Sequence, residues 1–143
     1  MDLSNTLAII SSAGYASAAQ TDVEGTGVDT QGYEGVLFIA KYGTAADDNL
    51  IHAETGADNS VDWEDLEGSE VDVGTSKSNE IQWLDINHNV GDRYIRCVAE
   101  RGTSSTLEFI IALPYGAHDE PVDNDTPGTI VGLLLTSPAE GTK

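Results

Sequence analysis

The residues that could do chemistry in this chain are few outside its carboxylates. There is one cysteine, Cys97, and three histidines, His52, His88 and His118. A single cysteine excludes an intrachain disulfide framework and a cysteine-based zinc cluster. Cys97 sits in the strand-like run Arg93-Tyr94-Ile95-Arg96-Cys97-Val98-Ala99, where a small buried hydrophobe is the expected role. A reactive thiolate needs a cationic, partly exposed setting. Arg96 is adjacent, but neighbours along a strand point to opposite faces. The histidines lack His-x-x-x-His spacing, so no closed tetrahedral zinc set is expected. Neither a P-loop nor Gly-x-Gly-x-x-Gly occurs, and no Gly-x-Ser-x-Gly elbow offers a serine nucleophile. Acids cluster at Asp47-Asp48, Asp58, Asp62 and from Asp119 to Asp125. Calcium favours such oxygen ligands, and the 119–125 segment is the best of them, but none has the spacing of an EF-hand loop. A pair of glycosidase carboxylates would not stand out from this acidic background. The expectation is a protein with no active site, no metal and no cofactor.

Charge narrows the partners. The 143 residues hold 25 acids against 6 lysines and arginines, for a net charge of −19. Such a surface repels phosphates, so no nucleic acid is expected as a partner, and an anionic membrane is equally unfavourable. No apolar stretch approaches the ~18 residues of a membrane-spanning helix. The start, Met1-Asp2-Leu3-Ser4-Asn5, has no basic region, and its apolar run at residues 7–10 is short for a signal peptide. No export by that route is expected.

The elements that must position these residues read as β throughout. Val36-Leu37-Phe38-Ile39-Ala40 is near-continuously apolar, which predicts a central strand buried on both faces. Residues 50–55 form the next strand, stopped by Gly56. Residues 61–66 alternate apolar and acidic, placing Val61 and Trp63 on one face of a half-buried strand with Trp63 in the core. Val71 and Val73 mark a short strand, and Ile81, Trp83 and Leu84 mark another ending near Ile86. Residues 94–99, with Tyr94 in the core, and residues 107–113 follow on either side of a hairpin loop at 101–105. Residues 129–135 are either a last strand or an apolar tail that packs on a partner. About eight short strands with turn signals between them predict an all-β fold, an antiparallel β-sandwich or barrel-like single domain. Within residues 1–30, Leu7-Ala8-Ile9-Ile10 can form one short strand, residues 11–20 are small and weakly patterned, and residues 21–30 hold two glycines and three acids. They read either as an extended N-terminal arm that needs a neighbour to order it fully or as an ordinary edge strand plus loop. Residues 31–143 then form the β-domain with its C-terminal apolar tail.

Three segments in order, Val28-Asp29-Thr30-Gln31-Gly32-Tyr33, Val61-Asp62-Trp63-Glu64-Asp65-Leu66-Glu67-Gly68 and Gly91-Asp92-Arg93-Tyr94-Ile95-Arg96-Cys97, resemble the head decoration, or cement, proteins of tailed bacteriophages. The resemblance covers about residues 5–135. The chain departs from the pattern at residues 57–60, which lack an Asp-Gly turn. The resemblance implies a homotrimer on the outside of an icosahedral virion, bound to the major capsid protein, bridging capsid subunits against the pressure of packed DNA. It also implies synthesis in the host cytoplasm, no catalysis and no cofactor.

On that expectation, the apolar residues nearest the two ends are the candidate partner contacts: Leu7, Ile9, Ile10, Tyr15, Ile130, Leu133 and Leu135. Two other functions fit the same composition. A neck or tail structural protein would share the passive β-fold. A carbohydrate-binding β-sandwich would stack sugars on exposed aromatics drawn from Tyr33, Tyr42, Trp63, Trp83, Tyr94 and Tyr115.

Overall fold

The computed structural model describes residues 3–87, 92–124 and 128–133. Among these, a single helical turn, Leu3–Thr6, precedes eleven strands. They are β1 (Ile10–Ala13), β2 (Ala16–Ala19), β3 (Val23–Glu24), β4 (Val28–Asp29), β5 (Gly35–Tyr42), β6 (Leu50–Gly56), β7 (Glu64–Asp65), β8 (Val71–Asp72), β9 (Ile81–Asn87), β10 (Tyr94–Glu100) and β11 (Ser105–Tyr115). Two antiparallel sheets pack face to face as a sandwich. One runs β1-β11-β5-β9, with β2 also on β11. The other runs β3-β10-β6-β7, with β4 also on β10 and β8 also on β6.

The period of two in the long strands makes the core. β5 turns Val36, Phe38, Ala40 and Tyr42 inward, while β10 contributes Ile95, Cys97 and Ala99. Ile51 and Ala53 come from β6, and Leu107, Ile110 and Ala112 from β11. Burial of this apolar surface is the main favourable term in folding. β5 is central, as its sequence predicts, but only one of its faces is fully buried. Leu37 and Ile39 stay half-buried, because no second layer among the described residues covers the outer face of their sheet. Tyr42 ties the layers together: its hydroxyl donates to the Glu100 carbonyl, with the Leu50 carbonyl also in reach at 3.0 Å. Burial pushes that hydroxyl's pKa well above its ordinary value.

The first thirty residues resolve in favour of edge strands. β1 and β2 pair with β11, and β3 and β4 pair with β10, so the segment closes one edge of each sheet in turn. Ile10, Ala13, Ala16 and Val23 pack against the core, and Ser12 is buried. Arg101, also buried, fastens the crossing. Its guanidinium donates to the Ser17 and Thr21 carbonyls at 2.6 Å each and to Thr21 Oγ1 at 2.9 Å. An extended arm is therefore not the structure of residues 10–29.

The predicted strand at 61–66 shrinks to the two residues of β7. Asp58 caps a turn by accepting from the Ser60 and Val61 amides, and Asp62 has φ of 57°. A left-handed residue breaks the extended backbone that the alternation implied, and Val61 is left exposed. Near the C-terminus, residues 128–133 form no strand, and Ile130 makes only an isolated bridge.

Candidate interaction surfaces

The outer face of the first sheet carries an apolar field built by register. β11, β5 and β9 lie side by side, and Ile111, Ile39 and Trp83 are directly opposite one another across them. Leu113 and Leu37 form the next rung, ending in Asp85. On the other side, Phe109 and Ile81 flank Lys41. All these residues have the opposite parity to the core residues Phe38, Ala40, Ile110 and Ala112. Trp83 is 65% exposed and Ile81 nearly as much. β9 is also an edge strand, so its outer side offers unpaired backbone groups beside the two side chains. The face ends in a polar rim where the Tyr115 hydroxyl donates to Asp85 at 2.9 Å. Burial and that bond raise the Tyr115 pKa.

A second surface forms where the described chain ends meet. Asn124 organises it. Its side-chain oxygen accepts from the Ile9 amide at 2.7 Å, and its nitrogen donates to the Ser4 and Leu7 carbonyls at 3.0 Å each. The Val122 amide donates to the Asn5 carbonyl. A cleft of about 380 Å³ results, lined by Ile9, Ile130, Val131 and Leu133 among others. Leu133 is 82% exposed, and Val131 and Leu3 are exposed as well. Of the predicted contacts, the structure thus brings Ile9, Ile130 and Leu133 together. Leu7 is half-buried and bridged to Tyr115. Ile10 packs against the core and serves the fold instead. Tyr15 is exposed at the turn between β1 and β2, in line with neither surface's register. Leu135 lies outside the described residues.

The outer face of the second sheet is polar. Register sets Arg96 of β10 opposite Glu54 of β6, and Glu54 opposite Asp65 of β7. The Arg96 Nε bonds Glu54 Oε2, and its Nη1 reaches Glu24 Oε2 at 2.8 Å. Trp63 lies over this pair, with Arg96 4.6 Å from its ring centre. The expectation that Trp63 fills the core is corrected. Its ring rests on the outer face over Gly27 and Gly56, where a Cβ would come within 2.8 and 3.2 Å of it. Tyr94 is likewise not a core residue. It shares the outward parity of Arg96 on β10 and sits beneath Arg93, 5.3 Å from its ring centre. The core tyrosine is Tyr42, whose position in the apolar run of β5 was the available signal.

His52 also projects on this outer face, between Glu54, Asp65 and Glu100. The loop joining β7 to β8 folds over it, held where Ser69 Oγ accepts from the Ala53 amide at 2.9 Å. His52, Glu54 and Asp65 each place a ligand atom within 4.8 Å of the others. Sequence reasoning passed over this group because Asp65 joins His52 and Glu54 only through the pairing of β7 with β6. Of the acidic segment 119–125, expected as the best calcium candidate, Val122, Asp123 and Asn124 line the terminal cleft, while Asp125 lies outside the described residues. His118 is exposed and its amide donates to Gly32, and His88 lies outside the described residues. Cys97 is fully buried, and that burial pushes its thiol up to about 12, which suits packing and not nucleophilic attack. The arrangement therefore offers two apolar faces for macromolecular contact and one compact group of ionisable ligands. Neither a family model nor a curated protein matches the chain.

Proposed function

We propose that the protein is a structural virion component that binds the outside of an icosahedral phage capsid as a homotrimer and stabilises contacts between major capsid subunits. The observation that carries this reading is the Ile111–Ile39–Trp83 row with its flanking leucines, an uncovered apolar sheet face on a highly charged protein. Contiguous apolar faces of this kind mark protein contact sites. An aromatic anchor near the middle of such a patch supplies much of the affinity. The terminal cleft, with Ile9 and Leu133, adds a second contact, so one face can serve the trimer and the other the shell. The net charge of −19 keeps the unassembled protein from associating nonspecifically.

The test is the abundance of the protein in purified virus particles relative to the major capsid protein. A ratio near one per capsid subunit is the expected result, and Trp83→Asp lowers it. A few copies per hundred subunits would assign the chain to the neck or tail. Absence from particles would overturn the reading.

The exposure of Trp83 beside Asp85 favours one other function, a carbohydrate-binding module. Stacking on the indole with hydrogen bonds to the adjacent carboxylate is how such a face would hold a sugar. Glycan-array binding that Trp83→Ala abolishes, by a protein missing from particles, would establish it.

A further inference from the structure

We propose that His52, Glu54 and Asp65 form a binding site for one divalent transition-metal ion of the zinc class. Two neighbouring strands make the site: His52 and Glu54 share the outward face of β6, and Asp65 lies beside them on β7. Glu54 and Asp65 are directly opposed across the β6–β7 ladder, and like charges so placed are destabilising unless a cation lies between them. Arg96 neutralises only one side, because its guanidinium engages Glu54 Oε2. Glu54 Oε1 faces His52 instead, 3.7 Å from Nε2, and Asp65 Oδ1 is 3.3 Å from the same nitrogen.

His52 is the second and independent observation. It is 7% exposed, and its buried Nδ1 has no hydrogen-bond partner among the described residues. Glu100 Oε1 is 3.3 Å from Nδ1, off the direction of a ring N–H. The Glu100 side chain is 42% exposed, so a small rotation brings it into line. A proton on Nδ1 then leaves the Nε2 lone pair pointing at two carboxylate oxygens. That arrangement matches a metal-binding imidazole whose far nitrogen is held by a carboxylate.

The spacing agrees. A tetrahedral ion with bonds of about 2.0–2.1 Å holds its ligand atoms about 3.3–3.4 Å apart. The Asp65 oxygen already meets that spacing, and the Glu54 oxygen is a few tenths of an ångström beyond it. An imidazole with two carboxylates suits zinc-like ions better than calcium or magnesium, which prefer all-oxygen shells. Beside the group lies a cleft of about 210 Å³, lined also by Glu67, Glu70 and Glu100, which leaves room for water at the remaining position. The site lies on the sheet opposite the apolar row, and the inference does not depend on what that row contacts.

Calorimetric titration of the full chain with Zn²⁺ tests this, with Co²⁺ as a spectroscopic probe and Mg²⁺ as competitor. The expected result is one Zn²⁺ per chain, undisturbed by excess Mg²⁺, with the visible absorption of four-coordinate Co²⁺. Asp65 is largely exposed, so Asp65→Asn leaves the fold intact and weakens binding by at least about tenfold. Glu100→Gln, which alters only the outer partner, weakens it by about 10–100-fold. No binding, equal binding of Mg²⁺, or Zn²⁺ affinity unchanged in Asp65→Asn would each overturn the proposal. The first result would leave Glu54 and Asp65 without a bound ion between them, and the other two would leave a diffuse acidic surface.

Discussion

The Arg96 guanidinium lies 4.6 Å from the centre of the Trp63 ring while it holds Glu54 and Glu24. One cation thus serves three partners on the outer face of the second sheet. Cation–π stacking on tryptophan contributes about 1–2 kcal/mol when desolvated. Arg96 and Glu54 are both mostly buried, at 13% and 16% side-chain exposure, and removing one member of such a pair strands the other. Arg96→Met is therefore expected to destabilise by about 2–3 kcal/mol. In a Trp83→Phe background, Trp63 emission should shift to the red as its cover is lost. Denaturant titration followed by fluorescence reads both effects.

Asn124 joins the terminal segments through three hydrogen bonds, to the Ile9 amide and the Ser4 and Leu7 carbonyls. Asn124→Ala leaves all three backbone groups without that partner, at a cost of about 1–3 kcal/mol. The loss is local. Hydrogen exchange at Ile9 should rise sharply while exchange in β5 and β10 stays slow, since the sandwich core does not contain this contact.

Gln82 is the inward-facing residue of β9 with the least reason to be there. It is 4% exposed, and neither its side-chain nitrogen nor its oxygen has a hydrogen-bond partner among the described residues. A buried polar group left unpaired carries a penalty of about 1–3 kcal/mol. Gln82→Met keeps the length of the side chain and removes the polar atoms. It is expected to raise stability by about 1 kcal/mol, visible as a higher urea midpoint with an unchanged slope.

The Asp29–Arg93 pair gives a pH dependence of known sign. The Arg93 hydrogen bond lowers the Asp29 pKa from 3.8, with help from the Gln31 amide. A group whose folded pKa is depressed stabilises the protein above its unfolded pKa. The contribution fades as pH falls below about 4 through the folded value. Both side chains are about half exposed, so solvent screening keeps the effect small. Asp29→Asn should lower the urea midpoint at neutral pH, and the difference from the parent should vanish in strong acid.

Much of the sandwich was legible in the alternation of its long strands. The runs around Phe38, Ile51, Cys97 and Ile110 lie in the core because inward parity and apolar side chains coincide there. Burial of Cys97 followed from the same parity, and so did the separation of Arg96 from it. The alternation misled at Val61 and Trp63, since periodicity is blind to a single left-handed residue such as Asp62. It was silent over residues 11–19, which apart from Tyr15 have small side chains that carry no contrast between faces. Their pairing is decided by the free edge of β11, which lies far away in the chain.

By itself the sequence determined an acidic, all-β chain with a single cysteine on the inward parity of its strand, because composition and a period of two need no knowledge of neighbours. Only the tertiary structure decided which side chains meet. Strand register put Trp83 in line with Ile39 and Ile111, and set Glu54 between Arg96 and Asp65 beside His52. Register depends on long-range hydrogen bonding between strands, and shifting it by one residue would turn each of these groups to the other face.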